Sequence, residues 1–182
     1  LWSMVGGKLV LPPAGTEKDP GALIKEIEDH GVTQIHFVPS MLDAFLGYLS
    51  AFEIAGSLAT LKNVYCSGEA LPVETVKLFH DLMGKPLNIE LHNLYGPTEA
   101  AVEVSYFNCT QVEQRNSIPI GRPVWNTQLY ILDKHLKPLP TAMPGELYIG
   151  GVQVGRGYLN RPELTKNTFL PDSFSKEKGS SS

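Results

Sequence analysis

Neither lysine nor arginine clusters anywhere along this 182-residue chain, and its formal net charge is −4. A nucleic-acid binder normally carries a basic stripe, so the composition argues against nucleic acid as the partner. No apolar run approaches the roughly 20 residues that a membrane-spanning helix needs, so no membrane role is expected. The opening Leu1-Trp2-Ser3-Met4-Val5 lacks the basic region that begins a secretory signal. It starts mid-pattern without Met and reads as a cut inside a longer protein. There are only two cysteines, Cys66 and Cys109, too few for a disulfide framework. Cys66 lies in the apolar run Val64-Tyr65-Cys66 and reads as a buried reduced thiol, which points to a cytoplasmic protein.

What is present is an ordinary globular composition, 42% hydrophobic and 19% charged. Lys8 to Leu11 reads as a short strand stopped by Pro12-Pro13. Asp19-Pro20 opens a helix with Leu23, Ile24 and Ile27 at helical spacing, and Gly31 closes it. Val32 to Val38 is a second strand, and Ser40 caps a second helix. Leu61 to Cys66 is a third strand, Pro72 to Met83 a helix stopped by Gly84, and Leu87 to Leu94 a fourth strand. Strands alternating with helices imply a parallel sheet, here of the flavodoxin-like α/β class with flanking helices. Beyond about Asn108, proline and glycine become frequent, no long helical pattern remains, and Gln128 to Leu132 and Glu146 to Ile149 read as strands. The expected organisation is an α/β core over residues 1–108, the start of a small β-rich, barrel-like subdomain over 109–175, and a polar tail over 176–182.

Open parallel sheets bind ligands beyond the carboxyl ends of their strands. Three segments there are chemically suggestive. Asn93-Leu94-Tyr95-Gly96-Pro97-Thr98-Glu99-Ala100 runs a strand into a Gly-Pro turn and leaves an aromatic ring, a hydroxyl and a carboxylate side by side. Gly96 permits close backbone approach, Thr98 can donate to a phosphate oxygen, and Glu99 is a hard oxygen ligand suited to Mg2+. Tyr65-Cys66-Ser67-Gly68-Glu69-Ala70-Leu71-Pro72 closes a strand and opens a helix. By itself it is only a strand-to-helix turn. Gly145 to Thr165 is glycine-rich, but its glycines are not spaced as a phosphate loop or a dinucleotide fingerprint. A β-hairpin with glycine turns accounts for it, and Arg156 and Arg161 read as surface residues.

Taken together and in this order, the three segments resemble the adenylation domains of nonribosomal peptide synthetases. Ile118 to Pro123 and Asn126 to Asp133 match the same family between them, and the resemblance extends from Leu1 to about Phe169. It implies an enzyme that joins an amino-acid carboxylate to ATP and passes the acyl group to the phosphopantetheine thiol of a peptidyl carrier protein. Some members also use a small MbtH-like protein. It further implies roles position by position. Gly68, Glu69 and Ala70 would line the adenine and ribose side, Asn93 and Tyr95 would hold the adenine, and Gly96 would sit beside the nucleotide. Thr98 would touch the α-phosphate and Glu99 the magnesium. The substrate side chain would be read by His36, Tyr65, Ser67, Leu94, Val102 and Glu103. The polar trio His36, Ser67 and Glu103 suits the hydroxyl of serine, as in serine-activating domains of the enterobactin-synthetase type, although Asp is more usual where Glu103 stands. Without that frame, His36 reads as a core histidine and Ser67 as merely small.

The resemblance also implies missing parts. The phosphate loop and the aspartate that anchors the substrate ammonium are expected upstream. The aspartate that holds the ribose is expected downstream, as is the subdomain bearing the catalytic lysine. The chain is therefore expected to be inactive alone. Competing functions are an acyl-CoA ligase of the same superfamily, which would line its pocket with apolar residues, and a non-catalytic nucleotide-binding α/β module.

Overall fold

The computed structural model describes residues 6–52, 55–110 and 116–174. The opening Leu1–Val5 and the polar tail over 176–182 lie outside the described residues. The chain divides into two compact units, one comprising Leu1–Asn93 with Phe107–Pro119, the other Leu94–Tyr106 with Ile120–Ser182.

In the first unit a single 3-10 turn (Thr16–Lys18) leads into helix α1 (Pro20–His30). Asp19 stands before it in extended conformation and accepts the Ala22 N–H at 3.1 Å, satisfying a donor that the first turn leaves unpaired. Gly31 ends the helix at φ 59°, the left-handed conformation in which the last carbonyls find amide donors. Strand β1 (Gln34–Phe37) follows, then helix α2 (Pro39–Phe52), strand β2 (Asn63–Cys66) and strand β3 (Glu90–Tyr95). The pairings β1–β2 and β2–β3 are parallel, as the alternation of strand and helix signals predicts. In register, His36 lies beside Tyr65 and Tyr65 beside His92, whereas Phe37, Cys66 and Asn93 line up one position on. Neighbours in register share a sheet face and successive residues alternate, so these are opposite faces. The second row is buried at all three positions. Leu42, Phe45, Leu46 and Leu49 of α2 are buried in the same core, and the Phe37 and Phe45 rings meet at 5.1 Å.

Three local expectations need correction. Lys8 to Leu11 forms no strand; Leu9 and Leu11 are 56% and 81% exposed. The run has no pairing partner among the described residues, and Pro12 and Pro13 supply no N–H beyond it. Ser40 does not cap α2, because the helix already starts at Pro39. The Ser40 N–H falls inside the first turn and donates to the Glu69 carboxylate at 3.2 Å. Gly84 does not stop the third helix. Helix α3 (Val73–Phe79) widens into a π-helical turn (His80–Gly84) and continues as the short α4 (Lys85–Leu87), ending at Asn88 with φ 54°. Pro86 has no N–H to give residue 82, so an unbroken α-helix is not available there. The wide turn sets His80 Nε2 2.5 Å from the Cys109 carbonyl.

In the second unit, Ser105 and Tyr106 of strand β4 (Ser105–Asn108) pair antiparallel with the two-residue β5 (Arg122–Pro123). Strands β6 (Thr127–Leu132) and β7 (Glu146–Gly151) form an antiparallel pair from Thr127↔Gly151 to Leu132↔Glu146. The glycine-rich string from Gly145 to Thr165 therefore forms no hairpin of its own: it supplies β7, whose partner Thr127–Leu132 lies outside it. The string then carries a short helix, α5 (Pro162–Thr168), with Pro162 in its first turn and Glu163 beside it.

Both cysteines are buried and free, and burial raises their thiol pKa values, Cys66 to about 12 and Cys109 to about 11. Neither is a thiolate at neutral pH. No helix among the described residues is long and apolar enough to cross a membrane.

Candidate functional site

In the first unit, the candidate residues gather at the carboxyl ends of β1 and β2. The exposed His36 and the buried Ser67 are joined by a hydrogen bond of 2.8 Å between Nε2 and Oγ. His36 is therefore a surface-facing polar residue of β1 and not the core histidine that its apolar strand would also allow. The ring of Tyr65, its neighbour in register, stacks on His92 at 5.2 Å. His92 Nε2 is in turn 3.1 Å from Asn63 Oδ1 and 3.2 Å from Glu90 Oε2, which fixes the ring on which Tyr65 rests. His36, Tyr65 and Ser67 thus present an imidazole, a phenol ring and a hydroxyl from adjacent strands.

Gly68, Glu69 and Ala70 follow at the exposed mouth of the β2–α3 turn. Gly68 takes φ 93°, a conformation that an L side chain would strain. Glu69 is held at the first turn of α2 by the Ser40 N–H at 3.2 Å and the Ser40 hydroxyl at 3.3 Å. A carboxylate there also meets the positive end of the helix dipole. Asn93 is 5% exposed and its amide donates to the Pro119 carbonyl at 2.9 Å. It shares the buried face of the sheet with Cys66, opposite the face of Tyr65.

In the second unit, Leu94 and Tyr95 finish β3, and Gly96-Pro97 leads into a single 3-10 turn over Thr98–Ala100. Gly96 is required. A Cβ there would stand 2.5 Å from the Val102 carbonyl oxygen and 2.8 Å from Glu103 Cα and Val104 N, all of them backbone atoms. Thr98 is exposed and Glu99 partly buried. The Glu99 carbonyl accepts the Gly155 N–H at 2.7 Å, and the Tyr158 hydroxyl donates to the Glu99 carboxylate. That bond, then the residue's own backbone amide, holds the Glu99 pKa below the ordinary carboxylate value, while the same bond raises that of Tyr158. Tyr158 is itself anchored, because its N–H donates to Thr165 Oγ1 of α5 at 2.9 Å. Val102 is 62% exposed and Glu103 partly buried.

Tyr158 was not assignable from sequence. It stands in the Gly145 to Thr165 string, 59 positions from Glu99, and nothing in that spacing predicts the contact. Removing its hydroxyl by Tyr158→Phe is expected to raise the Glu99 pKa toward the ordinary value, measured by carbon-13 NMR titration of the carboxyl. A depressed folded-state pKa means that the bond stabilises the fold above the ordinary glutamate range. The contribution is lost as pH falls through the depressed value. An unchanged titration in the variant would remove Tyr158 as the cause.

Glu99 is an ionised hard-oxygen donor, so it fits Mg2+ in the way that cation is usually held, by one or two carboxylates with substrate phosphates and water completing the sphere. No group of three or more His, Cys, Asp or Glu that could hold a metal occurs among the described residues.

Comparison with known proteins agrees with this arrangement. Residues 1–159 match the family described as AMP-binding enzyme. The chain belongs to that family. It is 46% identical over 179 residues to enterobactin synthase component F of Escherichia coli (strain K12), covering 96% of this chain and 14% of that protein. To vanchrobactin synthetase VabF of Vibrio anguillarum it is 45% identical over 181 residues, 96% of this chain and 6% of that protein. The crystal structure of the nonribosomal peptide synthetase FmoA3 in its α-methyl-L-serine-AMP bound form superposes with a TM-score of 0.81 at 28% identity, covering 91% of this chain and 18% of that one. A structure of the same synthetase holds AMPPNP. The chain thus spans only a small part of each relative, 14% and 6% of the two synthetases and 18% of the FmoA3 chain.

Proposed function

We propose that this chain is the side-chain-reading and nucleotide-contacting part of an adenylation domain that activates L-serine. The observation that carries the reading is the His36–Ser67 hydrogen bond, 2.8 Å long, on the Tyr65 side of the sheet. A ligand hydroxyl can join such a polar pair, whereas an alkyl side chain would desolvate the hydrogen-bonding capacity the pair leaves unused, at about 1–3 kcal/mol for each group so stranded. Glu103 of the second unit is the third polar residue assigned to the substrate, with Leu94 and Val102 as its apolar companions. The α-methyl-L-serine-AMP carried by the related FmoA3 supports a serine-like substrate.

In this reading a substrate carboxylate oxygen bonds to the α-phosphorus of ATP as the bond to pyrophosphate breaks. Tyr95 stacks on the adenine, with Gly68, Glu69, Ala70 and Asn93 framing the nucleoside and Gly96 leaving room beside it. Thr98 donates to the α-phosphate. Glu99, oriented by Tyr158, would hold magnesium, which when bound offsets the phosphate charge. The acyl group then passes to the phosphopantetheine thiol of a peptidyl carrier protein, in a cytoplasmic synthetase that can also engage an MbtH-like protein. Residues 1–108 are the core subdomain and 109–175 the start of the barrel-like one.

Two measurements test this. The full-length synthetase carrying this chain should support ATP–pyrophosphate exchange best with serine. Exchange with a large apolar amino acid in preference to serine would refute the substrate. The 182-residue chain alone should show no serine-dependent exchange above background, because preorganised charge stabilisation is usually the largest catalytic contribution and the phosphate loop and catalytic lysine are absent from it. Clear exchange by the purified chain would show that the active site is misplaced.

A further inference from the structure

The segment carrying Val102 and Glu103 has a backbone that its sequence would not choose. Ala101 and Val102 have φ of 56° and 76° although neither is glycine, and for a β-branched residue this is a marked departure from ordinary conformations. The Glu103 N–H donates to the Ala101 carbonyl at 3.0 Å, closing a three-residue γ-turn centred on Val102. The positive-φ γ-turn is the rarer, strained form. Strain of this kind persists only where surrounding structure over-determines it, and it concentrates at functional sites.

Two features of the second unit supply the over-determination. Gly96 lies against the turn with no room for a side chain, and Val104 N–H closes on the Tyr95 carbonyl at 2.8 Å. The other feature is Gln153. Its Nε2 donates to the Glu103 carbonyl at 3.1 Å, and its Oε1 accepts from the hydroxyl of the buried Thr127. Gln153 leaves the end of β7 in a turn closed by Val154 N–H to the Gly151 carbonyl at 3.2 Å. The side-chain amide is therefore a strut from the β6–β7 pair to the strained turn, with one end on each.

We propose that Gln153 is a positioning residue for amino-acid selection: it holds the γ-turn at Val102 and so sets the direction in which Val102 and Glu103 meet the substrate side chain. The inference rests on the proposed function, since it gives those two residues a substrate to read. A peptide in this conformation has a lower-energy alternative, with Val102 relaxed to negative φ. That alternative would redirect both side chains. Gln153 excludes it by satisfying the Glu103 carbonyl only in the strained form.

The test uses the full-length synthetase carrying this chain. Gln153→Glu keeps an oxygen for Thr127 but removes the donor to Glu103, while Gln153→Met keeps the length and removes both bonds. For each, kcat/KM is measured with serine and with alanine, together with the ATP KM and the melting temperature. The serine-to-alanine ratio is expected to fall by about tenfold in both variants, as the loss of one well-placed hydrogen bond can do, with the ATP KM within about twofold of wild type. A ratio within twofold of wild type in whichever variant folds overturns the proposal. So does an equal loss for both amino acids with a lowered melting temperature, which marks Gln153 as a purely structural strut. Failure of the underlying reading looks different: wild-type protein would then show no exchange that favours serine, and the role of Gln153 would fall with it.

Discussion

In the synthetase that carries this chain, His36→Leu is expected to lower the serine-to-alanine ratio in kcat/KM by about 10–100-fold, because a site built around a hydroxyl rejects its absence by leaving polar groups unpaired. Leucine approximates the imidazole in bulk but offers neither donor nor acceptor. Ser67 Oγ then loses its 2.8 Å partner, and a bound serine hydroxyl loses one of its candidate partners. Alanine loses nothing comparable. The ATP KM should change little, since Tyr95, Thr98 and Glu99 are untouched. Stability should fall only modestly, by roughly 1 kcal/mol for the bond to Ser67, because His36 is exposed. Kinetics with both amino acids, paired with a thermal melt, separate this from a structural role. An equal loss for serine and alanine with a large drop in melting temperature would remove His36 from substrate recognition and weaken the serine assignment with it.

The parallel sheet was legible because short segments with spaced apolar residues alternate with helical patterns that have a cap or stop close by. Asp19-Pro20 and Gly31 bracket α1 through local chemistry alone. The misread boundaries share a different cause. At Ser40 the decisive donor–acceptor pair is with Glu69, 29 positions away. At Gly84 the chain widens into a π-turn in the unit where His80 reaches the Cys109 carbonyl. Neither is visible in a local window, where serine looks like a cap and glycine like a stop. The candidate residues divide in the same way. Gly96, Thr98 and Glu99 stand in one string and could be read from it. The Tyr158 hydroxyl on Glu99 and the Gln153 amide on Glu103 are made by residues 59 and 50 positions away. Their string reads as a glycine-rich hairpin but supplies only β7 and α5, and its periodicity carries no trace of those two side chains. The strain at Val102 was hidden for a related reason, since nothing about a valine announces positive φ.

The largest stability effect is expected at Gly151, where the end of the hairpin meets the turn that carries Gln153. Gly151 has φ 120°, and a Cβ there would stand 2.2 Å from the Asn126 carbonyl oxygen and 3.0 Å from Thr127 Cα. Both contacts are with backbone, so no flexible side chain can move aside. Gly151→Ala therefore combines backbone strain with overpacking, together roughly 2–5 kcal/mol. Gly31→Ala is the matched control. Its φ is 59°, but nothing lies within 4 Å of the added Cβ, so only the left-handed penalty of about 1–2 kcal/mol applies. Thermal melts should thus rank wild type, Gly31→Ala and Gly151→Ala in descending order. Hydrogen exchange should locate the two losses separately, at β6–β7 for Gly151→Ala and at the end of α1 for Gly31→Ala. The Thr127↔Gly151 pair closes the register at that end of the hairpin, so its loss frees the Gly151–Val154 turn and with it Gln153. A Gly151→Ala protein that melts with wild type, or whose β6–β7 amides keep their protection, would contradict the close approach at Asn126 and the rigidity argued for the strut.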